Sequence, residues 1–584
     1  HHAGVTDTRG HMYWLDDDLA CRTVADRVAM YKKHFSPEVF DSYGLEHDRV
    51  RMIVDSDGDG RADKATVFAD GFNDRAVGIG AGVLARDGKL WYACLPDLWQ
   101  LEDTDGDGRA DVRESLHTGY GIHVGFLGHD LHGLRFGPDG RLYFSIGDRG
   151  INIQTEGRHL FYPDTGTVLR CEPDGSNLEV FASGLRNPQE LAFDDYGNLF
   201  TVDNNSDSGD KARLVYIVEG GDSGWRIGFQ FITSPTSRGP WNAEKLWHPK
   251  FDGQAAYHLP PLVNLADGPS GLTYYPGTGL PQRYNGHFFL SDFRGSTAIS
   301  GVRSFAVEQD GASYKIADEH KFLWQLLTSD VEFGDDGNLY LLNWVNGWEK
   351  TGKGRIYKVF DPKTRAEPIV AEVLALTRAG MSSRPNEELQ TLLGHPNQRI
   401  RQAAQFELAA RPAAEAVPAF STVAQNPANR LARLHAIWGL GQILRVKHPQ
   451  PAFATLVALL SDNDAEVRAQ AAKTIGDIKD NTAARSALIT LLSDTAPRPR
   501  FFAALALGKM SGDNKTIQPL LEMLRANNNQ DRYLRHAGVV GLAALEEAEL
   551  LKHADDNSAA VRMGILLALR RLESPAIVRF LNDA

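Results

Sequence analysis

The sequence predicts a multidomain protein in which an all-β six-bladed propeller is followed by an all-α solenoid. Two internal repeats and one change of composition support this prediction. Up to about residue 361 the chain is rich in Gly, Asp, aromatic and β-branched residues, whereas Ala, Leu and Arg dominate from residue 362 onward. At 584 residues the chain is also too long for a single hydrophobic core. We therefore expect a propeller over residues 1–361 and a solenoid over residues 362–584.

A glycine-bearing turn followed by an alternating strand pattern recurs along the first part. The copies are DTRGHMYWLDD, ARDGKLWYACLP, GPDGRLYFSIGD, DDYGNLFTVDN, RYNGHFFLSDF and GDDGNLYLLNW. Their turn glycines are Gly10, Gly88, Gly140, Gly197, Gly286 and Gly337. Apolar and polar residues that alternate after such a turn are typical of a half-buried strand. Six copies of one strand unit predict six propeller blades.

The same acidic loop occurs twice between predicted outer strands, as DSDGDGRADK and DTDGDGRADV. Alternating carboxylates, a central glycine and a following backbone carbonyl are the ligand pattern of a calcium loop. The predicted ligands are Asp55, Asp57, Asp59, Arg61 (carbonyl) and Asp63 in the first loop, and Asp103, Asp105, Asp107, Arg109 (carbonyl), Asp111 and Glu114 in the second. Thr66 replaces the last carboxylate in the first loop, which predicts weaker binding there. The alternative is a solvated acidic turn. Because the flanks are strand-like, we expect two calcium ions that brace hairpins rather than a helical sensor.

An arginine marks a second repeat, of helical type, after residue 362. Arg401, Arg433, Arg468, Arg500, Arg535 and Arg562 recur every 27–35 residues or so, each within apolar residues at helical spacing. Helix pairs of this kind bury their apolar faces only by stacking on neighbours. The repeat resembles a HEAT-like α-solenoid with a short period, for which a structural role as a scaffold or interaction surface is the simplest function.

The segments that lead into the innermost strands converge at one end of a propeller channel. They carry Asn73, Asp74, Arg75, His129, Asp130, His132, Arg186, Asn187, Gln189, Glu190, Asp267, Ser270, Ser329 and Asp330. Histidine beside aspartate suits proton abstraction near neutral pH. We therefore interpret this funnel as a candidate active site. The alternative is that these residues tie the blades together through buried hydrogen bonds.

Two stretches, GHDLHGLRFGPDGRLYFSIGDRG and GLRNPQELAFDDYGNLF, are similar to the soluble PQQ-dependent glucose and aldose sugar dehydrogenases. The resemblance implies a six-bladed propeller with calcium beside the quinone and His129 as the general base, with His132 as a competitor and Asp130 and Asp148 beside them. It also implies that Arg186, Asn187 and Gln189 contact PQQ. The stretch WQLLTSDV lacks the arginine pair of that family. Arg294, in SDFRG, is the candidate to stand in for the family's lysine on the preceding blade.

The whole chain more closely resembles the PVC-type haem-binding CxxCH proteins, a group also called putative membrane-bound dehydrogenases. HMYWLDDDLACRTVADR, CLPDLWQLEDTDGDG, GHDLHGL and DNNSDSGDKAR carry this likeness. It implies an exported protein, periplasmic or secreted, that joins propeller and HEAT-like repeats to a c-type cytochrome domain.

These observations predict an oxidoreductase that oxidises a sugar or other alcohol with a quinone-type cofactor and passes electrons to a c-type cytochrome. Two alternatives remain open: a calcium-stabilised propeller that binds glycan or protein without catalysis, and a cofactor-free carbohydrate lyase or hydrolase. The net charge of −13 argues against nucleic acid as a partner. No stretch of about 18 apolar residues predicts a membrane span, and none of the three cysteines forms a CxxC motif.

Overall fold

The computed structural model describes residues 7–57, 61–205, 211–227, 259–345, 347, 353–447, 449–478 and 482–583. Within these ranges, strands β1–β24 lie before residue 360 and the later part is helical. The last strand ends at Val359 and the next helix begins at Pro362. No helix in the described ranges combines the length and the apolar character needed to cross a bilayer.

In the described part of the chain, five sheets are arranged as blades around a channel. Blade A contains β3 (Gly80–Arg86), β4 (Lys89–Cys94), β5 (Asp97–Glu102) and β6 (Val112–Thr118). Blade B contains β7 (Leu131–Phe136), β8 (Leu142–Ile146), β11 (Gly166–Cys171), β12 (Glu179–Leu185) and the short parallel β16 (Gly221–Asp222). Blade C contains β13 (Pro188–Phe193), β14 (Leu199–Asp203), β15 (Arg213–Ile217) and β17 (Val263–Asn264). Blade D contains β18 (Pro269–Tyr274), β19 (His287–Asp292), β20 (Gly301–Asp310) and β21 (Ser313–Trp324), and blade E contains β22 (Thr328–Phe333), β23 (Leu339–Asn343) and β24 (Arg355–Val359).

Two hairpins stand outside the blades. The first pairs β1 (Asp48–Val54) with β2 (Lys64–Phe72), and the second pairs β9 (Ile151–Thr155) with β10 (Arg158–Tyr162). The first hairpin packs on blade A, since Val50 and Phe72 share an apolar cluster with Tyr92. Neither hairpin completes a sixth blade within the described residues.

Five of the six predicted turn glycines join the first two strands of a blade. Gly88, Gly140, Gly197, Gly286 and Gly337 all have positive φ, between 69° and 82°. This conformation costs glycine little but strains other residues, so the repeated glycine is explained by the turn.

The prediction of six blades is wrong for the described chain, because the copy around Gly10 is helical. Residues Thr8–Gly10 and Met12–Trp14 form 3-10 turns, and helices follow at Leu15–Ala20 (α1), Val24–His34 (α2) and Pro37–Ser42 (α3). Three aspartates lie in the first turn of α1, and a reciprocal Thr23–Asp26 capping box begins α2. Both features stabilise helix N-termini. Trp14 is buried against Tyr31 instead of joining a sheet.

The later part is a succession of stacked helix pairs, as the arginine repeat predicts. Its helices are Pro362–Arg365, Pro368–Ala379, Asn386–Leu392, Gln398–Ala410, Ala413–Gln425, Arg430–Lys447, Gln450–Leu459, Ala465–Gly476, Arg485–Leu491, Pro497–Gly508, Ile517–Asn527, Arg532–Leu542, Glu547–Leu551 and Ala559–Arg571. Three of the repeated arginines, at 433, 468 and 562, pair with aspartates in loops that follow them, whereas Arg401 pairs with Asp195 of the propeller. Arg468, for example, pairs with Asp494 at 2.7 Å, and Arg562 pairs with Asp583 at 2.6 Å.

The solenoid packs against the ends of the blades at which the β7–β8 and β13–β14 turns lie. Gln405 donates a hydrogen bond to the carbonyl of Pro138 at 2.6 Å, and Gln470 donates to that of Tyr196 at 2.9 Å. Apolar residues of blades C and D continue into the solenoid core as one cluster. The inner helical face is therefore occupied by the propeller of the same chain.

This interface contains a histidine whose titration couples its stability to pH. The Nε2–H group of His536 donates to the carbonyl of Glu219 at 2.9 Å, and burial lowers the pKa of His536 to about 4. An unfolded histidine has a pKa near 6.5, so between about pH 6.5 and pH 4 the unfolded chain binds more protons. The free energy of unfolding is therefore expected to fall as the pH decreases from about 6.5 to about 4. Urea unfolding gives the free energy of unfolding at pH 7 and at pH 4.5. His536→Gln should make the difference between these two values smaller by on the order of 2 kcal/mol. An unchanged pH slope in the variant would contradict this assignment.

Candidate active site

A histidine and an aspartate meet at the end of blade B that faces away from the solenoid. His129 lies two residues before β7 and Asp148 two residues after β8, and the pairing of Leu131 with Ile146 brings these ends together. The Nδ1 atom of His129 lies 2.7 Å from Oδ1 of Asp148. The indole N–H of Trp225 donates to the other carboxylate oxygen at 2.9 Å.

The pair is deeply buried, with His129 2% and Asp148 1% exposed. Burial by itself raises the pKa of Asp148. The charge and hydrogen bond of His129, together with Arg186 and Trp225, outweigh burial and lower that pKa. The carboxylate is therefore ionised, and it fixes a proton on Nδ1 of His129. The Nε2 atom is left as the ring nitrogen turned away from Asp148.

Arg186 and Asn187 lie beside this pair, in the link between β12 and β13. The guanidinium of Arg186 lies over the rings of Phe126 and Trp225, at 5.1 and 5.6 Å from their centroids. The backbone N–H of Asp148 donates to the carbonyl of Arg186 at 2.7 Å. These contacts place a cation and two aromatic rings around the histidine.

The side chain of Asn187 is buried, and neither its amide nitrogen nor its carbonyl oxygen has a hydrogen-bond partner among the described residues. A Cβ atom at Gly147 would lie 2.8 Å from Cβ of His129 and 3.0 Å from Oδ1 of Asn187. Glycine at this position therefore permits the two side chains to approach each other. A buried amide without a partner costs free energy, which suggests that a bound group satisfies it.

Asp203 and Asp292 bind backbone N–H groups near the ends of their strands, whereas Asp148 binds side chains. Asp203 ends β14 and accepts hydrogen bonds from the backbone N–H groups of Arg186 and Asn187, the latter at 2.6 Å. Asp292 ends β19 and accepts from Asp267 and Gly268 in the same way, both at 3.2 Å. In blade B the position of these two aspartates is held by Ile146, and Asp148, two residues further on, binds side chains of a histidine and a tryptophan. Its role is therefore not explained by blade closure.

His132 and Gln189 support the loop that carries His129. The Nε2 atom of His132 and the amide nitrogen of Gln189 both lie within hydrogen-bond distance of the Gly128 carbonyl, at 2.8 and 3.3 Å. Since a carbonyl only accepts, Nε2 of His132 carries a proton and donates it. Burial also lowers the pKa of His132. This geometry favours His129 over His132 as a base.

Other predicted residues lie apart from this cluster. Asp130 forms a buried ion pair with Arg149, and its other oxygen has no hydrogen-bond partner within the described ranges. Arg294 pairs with Asp267 at 2.5 Å and with Asp292 at 2.8 Å on blade D, so its charge is already balanced there.

In the predicted funnel, Asn73 donates to the carbonyl of Gly44 and Arg75 pairs with Asp41, both near α3. Glu190 and Asp330 line a separate cavity on the side of the solenoid.

Phe126 and Trp225 were not predicted from the sequence as site residues. Trp225 ends the run EGGDSGW, a glycine-rich turn that offers a weak signal.

The N-terminal segment also reaches this site. Val124 donates to Asp18 at 2.9 Å, Leu127 donates to Asp7 at 3.0 Å, and Met12 packs on Phe126.

The second acidic loop joins β5 to β6 on the outer side of blade A. Asp103, Asp105 and Asp111 each offer an oxygen, and these atoms lie within 4.8 Å of one another. Asp107 and Glu114 are outside this group, and Asp107 accepts from the N–H of Arg109 at 2.8 Å.

In the first loop Asp55, Asp57, Arg61 and Asp63 belong to the β1–β2 hairpin, whereas Asp59 lies outside the described residues. The two hairpins touch, because Ala110 donates to the carbonyl of Phe68 at 2.8 Å.

One protein family matches most of the propeller region. A family described as a domain of unknown function (DUF7133) matches residues 28–353. The chain belongs to the DUF7133 family. In this DUF7133 protein a second match, to HEAT repeats, covers residues 453–543 and confirms the prediction of HEAT-like helices.

The DUF7133 chain is also similar to individual proteins over part of its length. It is 31% identical over 124 residues to quinoprotein glucose dehydrogenase B of Acinetobacter calcoaceticus, which is 17% of this chain and 26% of the relative. The chain thus spans about a quarter of that relative's length. Among solved structures, PQQ-bound aldose sugar dehydrogenase of Streptomyces coelicolor shares 21% identity over 47% of this chain and 75% of its own, with a TM-score of 0.31. The pyranose dehydrogenase PQQ domain of Coprinopsis cinerea shares 12% identity over 50% and 84%, with a TM-score of 0.32.

Proposed function

We propose that this protein is an oxidoreductase that oxidises a sugar or another alcohol with the help of a quinone-type cofactor. The observation that carries the proposal is the buried His129–Asp148–Trp225 arrangement next to Arg186 and Asn187. The partial similarity to a quinoprotein glucose dehydrogenase supports it.

In this proposal Nε2 of His129 takes the proton of the substrate hydroxyl. Asp148 accepts the Nδ1–H hydrogen bond and stabilises the imidazolium that forms. Trp225 holds the second carboxylate oxygen, so that Asp148 keeps its orientation as the charge on the histidine changes. Because the pair is almost fully buried, the attraction between imidazolium and carboxylate is stronger than it would be in water.

The residues present fit a planar cofactor with several hydrogen-bond acceptors. Asn187 offers a buried amide that has no partner among the described residues, and Arg186 supplies a cation held by two aromatic rings. Arg186, Asn187 and Gln189 would therefore hold PQQ beside His129. When bound, PQQ supplies a two-electron acceptor for the hydride of the alcohol carbon. Arg294 is not among these residues, since it is paired with two aspartates.

A second candidate is a cofactor-free carbohydrate lyase or hydrolase, or a propeller that binds glycan or protein without catalysis. The charge balance near the site favours this candidate. Arg149 and Arg213 form buried ion pairs with Asp130 and Asp203, and the partly exposed Arg294 pairs with Asp267. The three carboxylates of PQQ need cations to leave water, and these arginines are already engaged.

Titration with PQQ separates the two candidates. The metal-stripped protein is titrated with PQQ with and without Ca²⁺, and absorbance and dye reduction are then followed on a panel of sugars. The proposal predicts saturable binding and sugar-dependent reduction of the dye. Binding of sugar without any requirement for PQQ would support the second candidate and end the first.

We also propose that the acidic loops bind Ca²⁺, with Asp103, Asp105, Asp111 and the Arg109 carbonyl as ligands in the second loop. Three carboxylate oxygens within 4.8 Å fit a cation that takes oxygen ligands. Ca²⁺ at a hundredfold excess over its dissociation constant is expected to stabilise the protein by roughly 2.7 kcal/mol. Asp105→Ala should abolish the Ca²⁺-dependent rise in Tm measured by calorimetry, whereas Asp87→Ala, on an exposed turn of the same blade, should retain it. An equal Ca²⁺ response in both variants would contradict this assignment.

The resemblance to PVC-type haem-binding CxxCH proteins supports a further proposal, that the protein is periplasmic or secreted and passes electrons to a c-type cytochrome. Because the inner solenoid face contacts the propeller, the cytochrome would have to approach another surface. Sugar-dependent reduction of an added c-type cytochrome would support this partner. Reduction of dye but not of cytochrome would argue against it.

A further inference from the structure

The loop that leads into β7 is held by a segment that lies far from it in sequence. We call residues 119–130 the β6–β7 loop and residues 7–18 the clasp segment. The N–H of Val124 donates to Oδ1 of Asp18 at 2.9 Å, across 106 positions of the chain. The carbonyl of Asp18 also accepts a hydrogen bond from Nδ1 of His123 at 2.7 Å. Because Asp18 is 1% exposed, both hydrogen bonds are shielded from water.

Two more residues of the clasp segment bind the next part of the loop. Thr8 donates to the carbonyl of Gly125 through its backbone N–H at 3.0 Å and through its hydroxyl at 2.8 Å. The N–H of Leu127 donates to the carboxylate of Asp7 at 3.0 Å. Buried backbone groups need hydrogen-bond partners. The clasp segment therefore supplies partners on which the buried part of the β6–β7 loop depends.

The same loop positions two groups of the candidate active site. The N–H of His129 donates to the carbonyl of Phe126 at 3.1 Å, and the two rings meet edge to face with their centroids 5.5 Å apart. The guanidinium of Arg186 lies 5.1 Å from the centroid of the same Phe126 ring. Phe126 thus contacts the candidate base on one side and the cation on the other. Met12 and Leu15 of the clasp segment in turn pack on Phe126.

Blade C holds its corresponding link with a carboxylate of its own. Asp203, opposite the first residue of β13, accepts hydrogen bonds from the two backbone N–H groups that link β12 to β13. Blade B has Ile146 at this position, opposite the first residue of β7, and an isoleucine side chain cannot accept a hydrogen bond. The carboxylates that bind the link into β7 come instead from Asp7 and Asp18. The clasp segment therefore provides, for the blade that carries His129, a contact that blade C makes within itself.

We propose that the clasp segment positions His129 and Arg186 for sugar oxidation, with Asp18 as the main positioning residue. This inference rests on the proposed function. Asp18 fixes the loop at Val124, and the loop carries Phe126, which contacts both groups. Displacement of a reacting group by about 1 Å can lower a rate by about 10²-fold. A small movement of the loop should therefore be visible in kcat.

The test compares Asp18→Ala with Asp17→Ala in the 584-residue chain. Both substitutions remove a carboxylate from α1, but Asp17 pairs with Lys33 on α2 and serves as the matched control. Hydrogen exchange is followed by mass spectrometry without quinone or sugar. It should be about tenfold faster at residues 124–129 in Asp18→Ala than in Asp17→Ala. In protein with ¹³C-labelled histidine, the NMR signal of His129, assigned by its loss in His129→Asn, should shift only in Asp18→Ala.

A kinetic measurement connects this positioning to the reaction. At saturating PQQ, kcat for sugar oxidation should fall roughly 10–100-fold in Asp18→Ala and stay unchanged in Asp17→Ala. Asp18→Asn, whose amide oxygen can still accept from Val124, should restore most of each loss. If the unsubstituted chain oxidises no sugar, the proposed function fails. The exchange and NMR readouts then decide by themselves whether the clasp segment positions His129.

Two outcomes would overturn the proposal. The first is equal exchange at residues 124–129, with an equal His129 signal, in Asp18→Ala and Asp17→Ala. The second is faster exchange spread evenly over the whole chain, because that would show a general loss of stability. If Asp18→Ala does not fold, Thr8→Val decides the question by the same readouts, since it removes only the hydroxyl that binds Gly125 and keeps the shape of the side chain.

Discussion

Replacement of His129 by asparagine is expected to lower kcat for sugar oxidation by roughly 10²–10⁴-fold, the usual contribution of a positioned general base. Asparagine keeps a polar side chain of similar size but cannot take a proton. The loss should appear in kcat measured by dye reduction at saturating PQQ, with little change in the affinity for PQQ. Asp148→Asn should give a loss of similar direction, because the amide no longer fixes the proton on Nδ1 of His129.

His132→Gln is the matched control for this experiment. Glutamine can still donate to the Gly128 carbonyl, so the loop before β7 is retained. We expect its kcat to fall by less than about tenfold. A larger loss in His132→Gln than in His129→Asn would reverse the assignment of the base. Full activity of His129→Asn would show that another residue is the base.

Replacement of Asp477 by alanine is expected to destabilise the protein by about 1.5–3 kcal/mol, because it removes charge-assisted hydrogen bonds to two buried arginines that keep Asp139 and Glu179 as partners. Asp477 lies just after the solenoid helix Ala465–Gly476 and pairs with Arg141 and Arg170 of the propeller, the second at 3.2 Å. The two arginine side chains are only 8% and 3% exposed. Urea unfolding followed by fluorescence and circular dichroism measures the loss.

Asp555→Ala is the control, since the Asp555–Arg579 ion pair lies on the surface with side chains 81% and 46% exposed. Surface pairs contribute about 0–1 kcal/mol. Burial by itself raises the pKa of Asp477, but Arg141, Arg170 and Lys509 hold it well below its usual range. Its stabilisation is therefore present above about pH 4 and is lost as the pH falls below that value. Equal losses from both substitutions would show that the interface does not depend on this pair.

Much of the fold could be predicted because its signals are local. A turn that needs positive φ selects glycine, so five blades are visible as five turns around Gly88, Gly140, Gly197, Gly286 and Gly337. The solenoid helices are visible because apolar spacing and the repeated arginine recur in each unit. The sixth turn could not be separated from these, since Gly10, like the other glycines, is followed by one polar residue and then by apolar and aromatic residues. Acidic residues at the start of α1 and the capping box at Thr23 direct that segment into helices instead.

The candidate site was predicted only in part, since its residues come from distant segments. The sequence placed His129, Arg186 and Asn187 near one channel end, but it did not choose between His129 and His132. That choice depends on which ring nitrogen meets a carboxylate and which meets a carbonyl, a matter of orientation inside the folded blade. Arg294 was expected near the cofactor because of its place in the chain. Two aspartates of its own blade hold it elsewhere.

The sequence by itself determined the strand turns, the helical repeats and the spacing of the acidic loops, because each depends on residues close together in the chain. Only the tertiary structure decided the number of blades in the described residues and the partner of His129. Those features arise where segments separated by tens or hundreds of residues pack together, and their geometry is set by burial and hydrogen bonding that no local pattern encodes.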